Sequence, residues 1–174
     1  IVAAPGFRGG WRDVYVFNNM ITNNVAGLAA GGISIENAVS VFLYNNTVAN
    51  NDSTATTALA ASADPNLTLP QPAGIVGRAH SGDLGLLLAD PAVGNVFNPD
   101  LLAFSDPWMQ VNIIHQNRSF FWLNYDDPLT PVIETGLFPA NCYPAVCDPA
   151  AQAVADYTDD LGVLPAGTGS GLLN

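Results

Sequence analysis

Lysine is absent from the 174 residues, and the cations are Arg8, Arg12, Arg78 and Arg118, set against 15 acids for a formal net charge of −11. So few cations argue against nucleic-acid binding, which needs basic side chains to displace counterions from phosphates. They also argue against docking on an anionic lipid surface. Although 49% of the residues are hydrophobic, no window approaches the ~20 consecutive apolar residues of a membrane span. No basic segment followed by an apolar one marks a secretory signal, and the first residue is Ile. A processed chain or a piece of a longer one is therefore expected. Cysteine is limited to Cys142 and Cys147 in "NCYPAVC". With no CxxC or CxxCH, thioredoxin-like redox chemistry and covalent haem attachment have no support. Asn-Gly, the strongest short hairpin signal, is also missing. The length suits one domain with a sizeable core.

What the chain does have is a repeat of asparagine pairs. "VYVFNNMITNN" (14–24) aligns without a gap on "VFLYNNTVANN" (41–51), 27 residues later. "NIIHQN" (112–117) keeps the pattern N-x-[IV]-x-[NQ]-N. The residues before each pair are β-branched and aromatic, which predicts short strands. "ISIE" after Gly31-Gly32 predicts another strand after a glycine turn. A period near 27 with about three short strands and three turns predicts one rung of a parallel β-helix. Rungs would then stack about 4.8 Å apart, with equivalent residues above one another. Asn19, Asn46 and Asn112 are expected to form one structural amide ladder, and Asn24, Asn51 and Asn117 a second. Asparagine also tolerates the left-handed backbone of a sharp corner. Val16, Ile21, Leu43, Val48 and Ile114 should point inward. A β-sandwich with regular hairpins is the alternative, and the missing Asn-Gly counts against it.

The stretch "NNMITNN…GGISIENAVSVFLYNNTVANN" resembles the right-handed parallel β-helix repeat proteins of the pectin-lyase-like class, of bacterial extracellular and surface type. "FSDPWMQVNIIHQNRSFFW" resembles a late rung of large members of that class. The resemblance implies an all-β, right-handed parallel β-helix of few rungs. It implies little about activity, because that fold carries lyases, hydrolases, adhesins and passive scaffolds alike.

Residues 1–125 are expected to hold the rungs. The Ala/Thr/Ser/Pro-rich segment at about 52–73 reads as a long loop excursion. A degenerate rung falls in 74–97, where "GDLGLLLAD" (82–90) reads as a short helix weakened by its glycines. Residues 126–174 are turn-rich and are expected to form an irregular C-terminal cap, since an open coil end must be covered.

Few residues offer chemistry. Arg118 with Asp126 and Asp127 is the one basic and acidic grouping worth naming, and a structural salt bridge is the simpler reading. "HSGD" (80–83) puts His80, Ser81 and Asp83 too close in sequence for a triad, and no G-x-S-x-G is present. "GTGSG" lacks the Lys-Ser/Thr of a phosphate loop. Asp156, Asp159 and Asp160 in "DYTDDLG" form the candidate calcium site, with solvated loop acids as the alternative. Cys142 and Cys147 are expected to form a local disulfide, which places the chain in an oxidising compartment; two buried thiols are the alternative. Sequons occur at Asn45, Asn51, Asn66 and Asn117. Trp11, Trp108, Phe120, Phe121 and Trp122 cannot all fit inside a narrow coil, so some should lie at an interface. The expected function is a non-enzymatic extracellular scaffold within a larger surface protein or assembly. Its partners would be protein subunits or a longer parent chain, and possible ligands include polysaccharide and calcium. The alternative is a polysaccharide lyase or glycoside hydrolase of the same fold.

Overall fold

The computed structural model describes residues 12–90, 103–126, 133–143, 161–164 and 171–172. They are mostly strands in parallel sheets, with little helix. A first set of strands is β1 (Val14–Phe17), β2 (Met20–Thr22), β3 (Val25–Ala26) and β4 (Ile33–Ile35). A second set is β5 (Val41–Tyr44), β6 (Thr47–Ala49), β7 (Asp52–Ser53) and β8 (Ile75–Arg78). After the helix α1 (Gly82–Ala89) come β9 (Trp108–Gln110), β10 (Ile113–His115), β11 (Arg118–Asp126), β12 (Ile133–Pro139), β13 (Leu161–Leu164) and β14 (Gly171–Leu172).

Each sheet takes one strand from each set. The orders are β1-β5-β9, β2-β6-β10, β3-β7-β11-β12 and β4-β8-β13-β14. The first three strands of every sheet are parallel. β12 and β14 are antiparallel additions. The register is that of the repeat: Val16 lies beside Leu43, and Ile21 beside Val48, which lies beside Ile114. Because side chains alternate along a strand, one register fixes which residues go in. Leu43, Val48, Ile75, Ile35 and Val41 form the buried cluster, and Val16, Ile21 and Ile114 pack against it.

The corners between strands are sharp. Asn18, Asn45 and Val111 hold equivalent left-handed corners, with φ of 59°, 53° and 56°. Asn23, Asn50 and Gln116 hold the next, at 60°, 56° and 55°. Gly32 answers a different demand: a Cβ there would lie 2.5 Å from both the Gly74 carbonyl oxygen and a Val48 methyl carbon.

The excursion after β7 is ordered. It makes a 3-10 turn at Ala58–Ala60 and a bridge of Ala61 to Thr68. It then lies against β11: the Thr68 N–H donates to the Trp122 carbonyl at 2.9 Å, and the Trp122 N–H to Thr68 Oγ1 at 2.8 Å. Leu67, Phe121 and Leu123 form a separate apolar cluster there, with Phe138 and Cys142 packed on it. The α1 helix starts where Ser81 Oγ accepts from the Leu84 N–H at 3.4 Å, and it buries Leu84 and Leu88, one turn apart. β13 falls in the stretch expected to be an irregular cap, yet pairs in parallel register with β8, Leu161 beside Ile75. Among the described residues no helix is long and apolar enough to cross a membrane.

Candidate binding face and the asparagine ladders

Within each pair the two asparagines divide the work. The first takes the left-handed corner, and the second turns its amide into the stack. Asn19 Nδ2 donates to Asn46 Oδ1, and Asn46 Nδ2 to Asn112 Oδ1, both at 3.1 Å. Asn24 Nδ2 donates to Asn51 Oδ1 at 2.9 Å, and Asn51 Nδ2 to Asn117 Oδ1 at 2.8 Å. Each accepting oxygen also takes the backbone N–H of the asparagine that donates to it, at 3.0–3.1 Å. A further donor bond runs back to the previous strand: Asn46 to the Val16 carbonyl, Asn51 to Ile21, Asn112 to Leu43 and Asn117 to Val48. Asn46, Asn51 and Asn117 are buried. These bonds replace water for polar groups that would otherwise cost free energy in the interior.

The outward positions of the strands between these corners carry a second kind of column. Tyr15, Phe42 and Trp108 are neighbours in register, as are Phe17, Tyr44 and Gln110. Tyr15 and Phe42 stack with centroids 5.0 Å apart and planes 15° apart; Phe42 and Tyr44 follow at 6.0 Å. Around the corner, Met20, Thr47 and Ile113 form the next column. Trp108 is 67% exposed and Met20 81%, and Phe17, Tyr15, Val111 and Ile113 are exposed with them. An apolar surface continued over neighbouring strands differs from scattered exposed residues. At its margin Tyr15 donates its phenol to Asp13 at 3.1 Å, and Asp13 also accepts from Ser40 Oγ at 2.6 Å. The bond to Asp13 holds the Tyr15 phenol above its ordinary pKa, with desolvation and the Asp13 charge adding to it.

The two ion pairs among the described residues belong to the other sheets. Arg118 does pair with an aspartate, but that partner is Asp52, its neighbour in the β7–β11 ladder: Arg118 Nε donates to Asp52 Oδ1 at 2.6 Å, and Nη2 reaches Oδ2. Asp126 lies at the far end of β11, eight residues along an extended strand, and Asp127 lies outside the described residues. Arg78 approaches Glu36 at 3.5 Å. Sequence spacing pointed to acids near Arg118 in the chain, whereas sheet register brings one from 66 residues away.

Of the other candidates, Asp156, Asp159 and Asp160 lie outside the described residues, as does Cys147. Among the described residues no group of three or more His, Cys, Asp or Glu could hold a metal ion. His115 is exposed on β10, and His80 is buried before α1. The sequon residues Asn51 and Asn117 are buried, so a glycan cannot sit on them in the folded chain; Asn45 and Asn66 are exposed. The aromatic columns were legible only in part, because the sequence marks Trp108 as a surplus aromatic but not Tyr15 and Phe42 as its neighbours. No family model, no curated protein and no solved structure matches the chain.

Proposed function

We propose that this chain is a non-enzymatic binding scaffold, built as a short right-handed parallel β-helix of the pectin-lyase-like class and working outside the cell in a larger surface protein or assembly. The observation that carries the reading is the exposed pair of aromatic columns, Tyr15–Phe42–Trp108 and Phe17–Tyr44, on a stack whose interior is closed by amide ladders. Aromatic side chains bury large area at low entropic cost and are enriched at protein interfaces. Three further features support the coil. Strands pair in parallel at the repeat register, corners recur at left-handed asparagines, and equivalent aliphatics share one cluster. The paired arginine and acid, Arg118 and Asp52, are engaged with one another across neighbouring strands, as a structural link would be.

A second reading, a polysaccharide lyase or glycoside hydrolase, draws on the same aromatic columns, since flat apolar rings also support sugar rings. The two separate in an assay of purified protein on pectate, alginate and neutral glycans, with and without calcium. The scaffold reading expects no cleavage under any condition. Cleavage that survives Arg118→Ala but is lost when Asp156, Asp159 and Asp160 are all changed to Asn would overturn it and identify a carboxylate-based hydrolase.

A further inference from the structure

The outward columns stand on a face without charge. Residues 14–24, 41–51 and 108–117 contain no Asp, Glu, Lys or Arg. They build the β1-β5-β9 and β2-β6-β10 sheets and the corners that join them. The other two sheets differ: Asp52 lies on β7, Arg118 and Asp126 on β11, Glu134 on β12 and Arg78 on β8. At the margins Asp13 is bonded to Tyr15 and Ser40, and Arg118 to Asp52. A chain of net charge −11 thus leaves uncharged the face on which Phe17, Met20, Trp108, Val111 and Ile113 are exposed.

Its polar groups are of one kind. Asn18 and Asn45 at the corner and Gln110 on β9 are exposed. An amide both donates and accepts, as a tyrosine hydroxyl does, so such groups can pair with their own kind. A two-fold axis requires that property, because it sets one patch against itself. Foreign protein surfaces commonly carry charge, since about a quarter of residues in an average domain are ionised. Against this face those charges would lose water and meet no counter-charge, which costs free energy. A second copy of the face brings none.

We infer that this uncharged aromatic face pairs with the same face of a second copy of the chain, in a closed two-fold dimer. The inference rests on the binding-scaffold reading and names the partner of that same surface. The rings and aliphatics of the two copies bury one another, and the acidic remainder of each chain stays in solvent. Repulsion between chains of net charge −11 then opposes growth beyond two. Three layers about 4.8 Å apart make a shallow face. The contact therefore falls at the small end of the range, under about 1,200 Å² in total, where association is weak and reversible. Salt screens the like net charges outside the contact, so it strengthens the pair.

Sedimentation equilibrium of the full chain tests this, run at low and high salt. A monomer–dimer equilibrium is expected, with a dissociation constant between about 10 µM and 1 mM, tighter at high salt by about threefold or more. Phe17→Asp on one sheet and Ile113→Asp on the other should each weaken it at least about tenfold, by placing unpaired charge in the contact. Asn66→Gln, on the excursion, should leave it unchanged. Should an acidic variant unfold, Phe17→Ser and Ile113→Ser carry the same comparison without a new charge. A chain monomeric up to about 1 mM overturns the proposal, and the face then belongs to a foreign protein, a neutral glycan or a lipid surface. Sedimentation of that monomer with phosphatidylcholine vesicles separates the last of these from the others. A dimer indifferent to the variants at Phe17 and Ile113, one that weakens with salt, or assembly that grows past two also overturns it. None of these outcomes bears on glycan cleavage, so the scaffold reading and this one fail separately.

Discussion

Two sets of like side chains rise through the same stack, one at its corners and one on its strands, and they have opposite fates. The ladder amides of Asn46, Asn51 and Asn117 are buried, and the inner ones bond to layers on both sides. The column of Tyr15, Phe42 and Trp108 stands on the outer face, with Tyr15 stacked on Phe42 and both Tyr15 and Trp108 open to solvent. One register produces both, because stacking places each residue over its equivalent whichever way it points. Inside, a column of amides suppresses alternative registers, since a one-residue slip would leave every member unsatisfied. Outside, a column of rings makes a continuous surface from residues that would be unremarkable singly.

The sharpest way to break that comparison is at Asn51. Its side chain donates to Asn117 and to the Ile21 carbonyl and accepts twice from Asn24. Asn51→Ala should cost about 3 kcal/mol, the sum of an unsatisfied buried carbonyl and a small void. Asn19→Ala, at the exposed end of the other ladder, should cost a small fraction of that. Urea denaturation of both variants checks the gradient; equal losses would show that the ladder is not held by burial.

Next in size is the region outside both columns. Cys142 packs beside Leu67, Phe121 and Leu123, where the excursion meets β11. A bond to Cys147 would close a short loop and should contribute about 2 kcal/mol by restricting the unfolded chain. Intact mass before and after reduction should differ by two protons, and the urea midpoint should fall on reduction. Two thiols alkylated in the native, unreduced protein would remove both the bond and its argument for an oxidising compartment.

A smaller effect sharpens the comparison at the corner joining the two faces. Val111 takes φ of 56° where the equivalent residues are Asn18 and Asn45. A β-branched side chain is strained there, and asparagine is not. Val111→Asn should therefore raise stability by about 1 kcal/mol, read as a higher thermal midpoint. A loss instead would mean that exposed Val111 is held by contacts that outweigh its backbone strain.

Much of this was legible in the residues. The two ladders and the inward aliphatics follow from a gapless match and a period, because identical spacing implies identical position. The division of labour within each asparagine pair was not legible, since both members are the same residue and only the backbone angle separates them. Asp52 meets Arg118 through a register shift of 66 residues, a length set by the excursion and the α1 segment, which carry no repeat to count by. β13 was missed for a related reason: "LGVL" is four residues among turn signals, and its partner β8 supplies the pairing that its own sequence does not announce.

The least effect on stability should come from the outer column, and that is what makes it informative. Trp108 is mostly exposed, and its neighbour Phe42 already stacks on Tyr15. Trp108→Ser should shift unfolding by no more than about 0.5 kcal/mol, as for surface changes that touch no cap, core or ion pair. If the columns are an interface, the same variant should lose partner association at least tenfold, because truncating a central aromatic anchor costs 2 kcal/mol or more by general experience of interfaces. The cheap observable is self-association or adhesion to the parent assembly, measured beside Asn66→Gln as an exposed control far from the columns. A Trp108→Ser chain that keeps its partners would shift the binding surface away from this face. A chain that unfolds would show that the outer column holds the stack together as the inner one does.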